Sequence, residues 1–128
     1  MQSRSFGSVK IFWLDRERIC EDLRSAALDL AQRYPEVDEV WLFGSLARGD
    51  AVPGSDADIL VVLSEAREAF QDRSPRYALA GCRIGVDLLA YTRSELDSMR
   101  GRSPRFYRTF MAERKPLYLR SVATEPDA

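Results

Sequence analysis

Three aspartates and a glycine–serine pair are the residues of this sequence best suited to chemistry. Asp56 and Asp58 stand two apart at the start of the apolar run Ile59–Leu63, so a strand there turns both side chains to one face. Asp87 lies within Ile84–Ala90, flanked by Val86 and Leu88, on what reads as a central strand. Carboxylates in such runs are expected to be buried, and a buried carboxylate must be neutralised, paired with a cation or bound to a metal. Taken singly, Asp87 reads as the partner of an arginine, and Asp56 and Asp58 as a turn in which Asp56 bonds to nearby backbone. Three such residues on two adjacent strands favour a metal. A histidine-free oxygen set suits Mg²⁺, which keeps room for substrate phosphates.

Upstream, Gly44-Ser45-Leu46-Ala47-Arg48-Gly49 falls where a strand gives way to a helical turn. Successive backbone N–H groups at such a turn can hold an anion, glycine lets a phosphate approach the backbone, and the Ser45 hydroxyl adds a donor. The competing reading is an ordinary strand-to-helix turn. It is not a Walker loop, because no Gly-Lys-Ser/Thr follows.

Composition narrows the chemistry further. The chain has 128 residues, 19 Lys+Arg against 20 Asp+Glu, and no histidine. That absence excludes Ser-His-Asp and Cys-His catalysis and any histidine-ligated zinc site. The near-neutral balance argues against a dedicated nucleic-acid binder. Eight basic residues between Arg93 and Arg120 face only Glu95, Asp97 and Glu113, which reads either as a solvated helical face or as a phosphate- or partner-binding patch. Cys20 and Cys82 lack metal spacing and are expected to be small buried residues. The N-terminal residues carry no apolar signal core and no run approaches a membrane span, so a cytoplasmic protein is expected.

The elements that must position these residues are legible in outline. Val9–Leu14 suits a short edge strand, and Asp15 caps a helix to about Tyr34, with Ile19, Leu23, Ala26, Ala27, Leu30 and Tyr34 on one face. Pro35 ends it. Val37–Phe43 and Ile59–Leu63 read as strands, with a turn of helix and a loop between them. Ser64 is placed to cap a helix over 65–71, and Ser74-Pro75 to open another near Arg76–Ala80. Arg83–Tyr91 reads as the third strand. Thr92 with Glu95 forms a capping-box pattern for a helix over 93–100. Ser103-Pro104 opens the last helix, Phe106, Tyr107, Phe110 and Met111 line one side of it, and Pro116 is expected to stop it before an edge strand at Leu117–Leu119. The fold class is α+β: two layers, a small mixed sheet with helices packed mainly on one face. A single domain over 9–120 is expected, between a flexible N-terminus (1–8) and a flexible tail (121–128).

Combined, the motif reads Phe43-Gly44-Ser45-x3-Gly49-x5-Ser55-Asp56-x-Asp58, with Asp87 following 29 residues later. This pattern resembles the nucleotidyltransferase superfamily that includes DNA polymerase beta, and within it the minimal nucleotidyltransferases. The likeness runs from about Lys10 through Leu119. It implies transfer of a nucleoside monophosphate, AMP from ATP, to an acceptor hydroxyl. It implies two Mg²⁺ ions on Asp56, Asp58 and Asp87, and phosphate binding by Gly44, Ser45, Arg48 and Ser55. Asp87 would also take the proton of the attacking hydroxyl. Larger relatives carry separate acceptor domains, and residues 92–128 offer only two short helices and a strand, so the acceptor is expected from outside the chain. The resemblance points to a tyrosine of a HEPN-type toxin, with this protein as antitoxin; nucleic acid and membrane are not expected as partners. Two rival readings stay open: an antitoxin that masks its toxin sterically, and a small-molecule adenylyltransferase. Oligomeric state and base preference are not legible.

Overall fold

Apolar residues at helical spacing build the first element. The computed structural model describes residues 16–120. Helix α1, Arg16–Arg33, buries Ile19, Leu23, Ala26, Ala27 and Leu30 along one side. It ends just before Pro35, whose ring supplies no donor. The expected strand at Val9–Leu14, the cap at Asp15 and the two tails fall outside the described residues.

Strand β1, Val37–Phe43, has the expected bounds and runs directly into a one-turn helix α2, Gly44–Arg48. Strand β2 spans Ala57–Leu63 and β3 spans Val86–Thr92. Between them residues 64–85 make the crossover that a parallel pair requires, with a 3₁₀ turn at Phe70–Asp72 and a one-turn helix α3, Arg73–Arg76. Helices α4, Arg93–Arg102, and α5, Pro104–Glu113, then lead to β4, Lys115–Leu119. The sheet order is β3-β2-β1-β4, with β1 antiparallel to both β2 and β4.

The small mixed sheet of an α+β protein is as expected, and most of the core lies on the α1 face, where Val40, Leu42, Ile59, Val61, Leu88 and Ala90 meet that helix. Strands β1 and β2 are also apolar on their other side, at Trp41, Leu60 and Val62. That side therefore needs a cover, and α4 and α5 supply it through Leu96 and the fully buried Phe110. Of the expected aromatic stripe, Phe106 and Tyr107 pack around this cluster while Met111 stays 37% exposed.

Several local expectations are corrected. No helix forms over 65–71, because only Ala66 and Glu68 in 65–69 are even partly buried and a short helix without a packed face is not stable. The Ser64 hydroxyl instead donates to the Glu36 carbonyl at 3.4 Å, alongside its own N–H at 2.8 Å. The next turn begins at Arg73 and closes at Tyr77, whose hydroxyl donates to Glu36 at 2.6 Å, so Pro75 sits inside it. Strand β3 starts at Val86 rather than Arg83, since pairing with β2 begins where the Ala57 N–H meets the Gly85 carbonyl. In the described sheet β3 is an edge strand, not a central one. Pro116 does not stop the last helix, which ends at Glu113; it lies in β4 at the other edge, where a missing N–H is tolerated. Cys20 and Cys82 are free and only partly buried. Among the described residues no helix is long and apolar enough to cross a membrane.

One buried cation ties the crossover to the sheet. Arg73, 5% exposed, donates to the Glu95 carboxylate at 2.6 and 3.1 Å and to the carbonyls of Ala90 and Glu68 at 3.1 and 3.0 Å. Glu95 also completes the expected capping box with Thr92. The Arg73 hydrogen bond, reinforced by the Thr92 N–H and opposed by partial burial, holds the Glu95 carboxyl down at about 2. Arg73→Met is expected to lower unfolding free energy by about 2 kcal/mol, because it strips these acceptors of a charged donor. The folded-state value lies below the ordinary 4.5, so this contribution is complete above pH 4.5 and fades as pH falls toward 2. Urea unfolding at pH 7 and pH 3 checks both points: the gap between parent and variant should narrow at the lower pH.

Candidate active site

The site is assembled where β1 ends beside β2. Phe43 registers with Asp58 across the antiparallel pair, and Asp58 registers with Asp87 across the parallel pair. Side-chain alternation places Asp58 on the face of Leu60 and Val62, and Asp87 on the face of Leu89 and Tyr91. Both therefore lie side by side on the α4–α5 side of the sheet, one register step from the β1–α2 turn. Asp56 comes just before β2, and its Oδ1 is 2.5 Å from where a Cβ on Gly85 would sit. Gly85 thus has to be glycine for the Asp56 carboxylate to lie where it does. A Cβ on Gly44, which has φ +78°, would overlap Asp58 Oδ2.

The carboxylates are not buried as expected. Asp56 and Asp87 are exposed and Asp58 is partly buried, because they line the open end of the sheet and β3 is an edge strand. Among the described residues none of the three pairs with Lys or Arg, and Asp56 makes no side-chain bond to a turn. The Asp58 carboxyl is pushed up by burial and then by the charges of Asp87 and Asp56, with Arg48 opposing and Glu113 adding to the rise. The described residues contain no three ligating side chains already drawn into a closed cluster. The observation that fits a divalent cation is this mutual repulsion in an all-oxygen set, which a bound cation relieves.

The remaining expected residues divide. The Ser45 carbonyl accepts the N–H groups of Gly49 and Asp50 at 3.0 and 3.1 Å, closing the turn, while its hydroxyl has no hydrogen bond among the described residues. Ser55 is engaged in its own turn, its hydroxyl accepting the Val52 N–H at 3.1 Å. Arg48 donates to Asp50 at 3.1 Å and to Glu113 at 2.9 Å. Two residues went unread in the sequence. Gly85 looked like an ordinary strand residue. Glu113, 69 positions from Gly44, accepts the Gly44 N–H at 3.1 Å; only its place at the end of a helix, where a carboxylate is out of character, marks it. Of the basic run, Arg93 and Arg120 pair with Glu39 and Asp38, and Arg114 lies 4.2 Å over the Trp41 ring. A groove of about 370 Å³ adjoins Asp87, bordered by Ser74, Leu79, Cys82, Ile84 and Val86.

A small mixed four-stranded sheet in this order, with helices on it, is a fold shared with nucleotidyl-transferring domains. The chain belongs to the nucleotidyltransferase domain family, whose model matches residues 23–125. Among solved structures it is similar to a protein from Sulfolobus solfataricus assigned as a nucleotidyltransferase, with 26% identity and a TM-score of 0.60 over 84% of this chain and 86% of that one. Weaker likenesses reach a toxin–antitoxin complex with AMP-PNP (19% identity, TM-score 0.48, 75% and 73% of the two chains). They also reach a tri-AMPylated Shewanella oneidensis HEPN toxin in complex with its MNT antitoxin (20%, 0.43, 88% and 76%). No curated protein matches the sequence.

Proposed function

We propose that this nucleotidyltransferase moves AMP from ATP to a tyrosine hydroxyl of a HEPN-type toxin and thereby acts as its antitoxin. The observation that carries nucleotidyl transfer is the register of Asp58 with Asp87, set against the Gly44–Ser45 turn. The acceptor assignment rests on the motif likeness to minimal nucleotidyltransferases. It is supported by the packing: beyond β3, α4, α5 and β4 all lie against the sheet, so the described residues hold no separate acceptor-binding unit.

In this reading Asp56, Asp58 and Asp87 would hold two Mg²⁺ ions, which supply charge neutralisation at the triphosphate and acidify the attacking hydroxyl. The Gly44 N–H and the Ser45 hydroxyl donate to the β- and γ-phosphates, and Arg48 offsets their charge. Ser55 braces the turn that delivers Asp56. The Asp87 carboxylate, in register beside Asp58, takes the hydroxyl proton. The acceptor oxygen bonds to the α-phosphorus as the bond to the β-phosphate oxygen breaks, and pyrophosphate leaves. Positioning and electrostatics supply the rate.

The test is co-purification with the protein encoded beside it, followed by α-labelled ATP and Mg²⁺ and a denaturing gel. Label should appear on the partner and vanish with EDTA. A partner that stays unlabelled yet is still neutralised by the Asp56→Asn/Asp58→Asn double variant would establish steric masking instead. Label recovered only on a small molecule would establish the third reading.

A further inference from the structure

Glu113 closes α5, and nothing local favours it there. A carboxylate at a helix C-terminus meets the negative end of the helix dipole, and the last turn of α5 carries no basic residue. It also adds negative charge beside Asp58, whose carboxyl it helps to push up. What offsets these costs is distant in sequence. One oxygen, Oε1, accepts the Gly44 N–H at 3.1 Å, and the other, Oε2, accepts from Arg48 at 2.9 Å. The side chain is held in that position, 17% exposed. A backbone N–H and a guanidinium sharing two oxygens of one anion is the pattern by which proteins grip a phosphate.

We infer that Glu113 stands in for a phosphate group of the nucleotide donor and competes with it for the Gly44 N–H and the Arg48 guanidinium, so that this side chain sets how tightly the donor binds. The inference rests on the nucleotidyl-transfer reading above. The Gly44 N–H has one proton to give, so carboxylate and phosphate exclude each other at that atom. Arg48 is held between Asp50 and Glu113, so the Nη1 group that meets Glu113 turns to a phosphate when Glu113 swings out. The chemical class recognised is therefore a polyphosphate chain, free or on a nucleoside.

Inorganic triphosphate and ATP, each titrated by calorimetry into the full chain, provide the test. Glu113→Gln and Glu113→Ala are both expected to bind about tenfold more tightly than the parent, the scale set by removing one like charge near a protein surface. The gain should shrink as salt is raised. Melting curves confirm that the variants are folded. Measurable but unchanged or weaker binding in both folded variants would overturn the inference, assigning Glu113 to holding Arg48 in place, and leave the nucleotide reading standing. No heat from either anion, in parent or variants, would overturn both.

Discussion

Asp58→Asn is expected to slow AMP transfer by about a thousandfold, the upper scale for one preorganised electrostatic group, while the protein melts no earlier than the parent. The two halves of this result share one cause. Asp58 sits between the β1–α2 turn and Asp87, and burial together with the Asp87 and Asp56 charges pushes its carboxyl up. Among the described residues the Asp58 side chain makes no ion pair that Asn would lose. The substitution keeps shape and removes repulsion, so stability holds or rises as function falls, the trade-off expected where a site keeps like charges together. Asp29→Asn is the control: it breaks the exposed pair with Arg33 at 2.6 Å and should leave the rate unchanged. Initial rates with labelled ATP and thermal melts of the three proteins check this. A variant that melts earlier and loses rate only in proportion would give Asp58 a structural part instead.

What the sequence made legible were features whose causes are local. The β-branched and aromatic run Val37–Phe43 forms a strand with those bounds, and Thr92 with Glu95 forms a complete capping box. The stripe Ile19, Leu23, Ala26, Ala27, Leu30 is buried as its spacing dictates. The two-residue step from Asp56 to Asp58 places both ahead of one strand face, and the register then brings Asp87 alongside. What failed depended on packing partners far along the chain. Residues 65–71 had a cap but no face to bury, and Pro116 reads as a helix stop until β4 is known to be an edge. The aspartates were expected to be buried because their neighbours are apolar, yet position at the strand ends, not local composition, decides exposure. Glu113 and Gly85 matter only through contacts with Gly44 and Asp56, 69 and 29 residues away, for which no short-range pattern exists.

Gly44→Ala is expected to abolish transfer, and the matched substitution Gly81→Ala separates the reason from backbone strain. The two glycines have nearly equal positive φ, +78° and +79°, so an L side chain at either costs about 1–2 kcal/mol in backbone terms alone. Their surroundings differ completely. A Cβ at Gly81 meets nothing within 4 Å, whereas at Gly44 it overlaps the Asp58 carboxylate. Alanine at position 44 must therefore drive Asp58 away from the turn, or shift the turn and carry the Gly44 N–H with it; either movement separates the proposed phosphate donors from the acidic centre. A displacement on the order of 1 Å in such a site is worth about a hundredfold in rate, and here two groups move together. Gly81→Ala should show only the strain part of the drop in unfolding midpoint, with transfer near the parent rate. Comparable losses of transfer in both variants would mean that strain alone disables the protein. Loss confined to Gly44→Ala would mean that the empty space over this one Cα is what lets the proposed phosphate-binding turn and the proposed metal-binding carboxylate share a single point of the sheet.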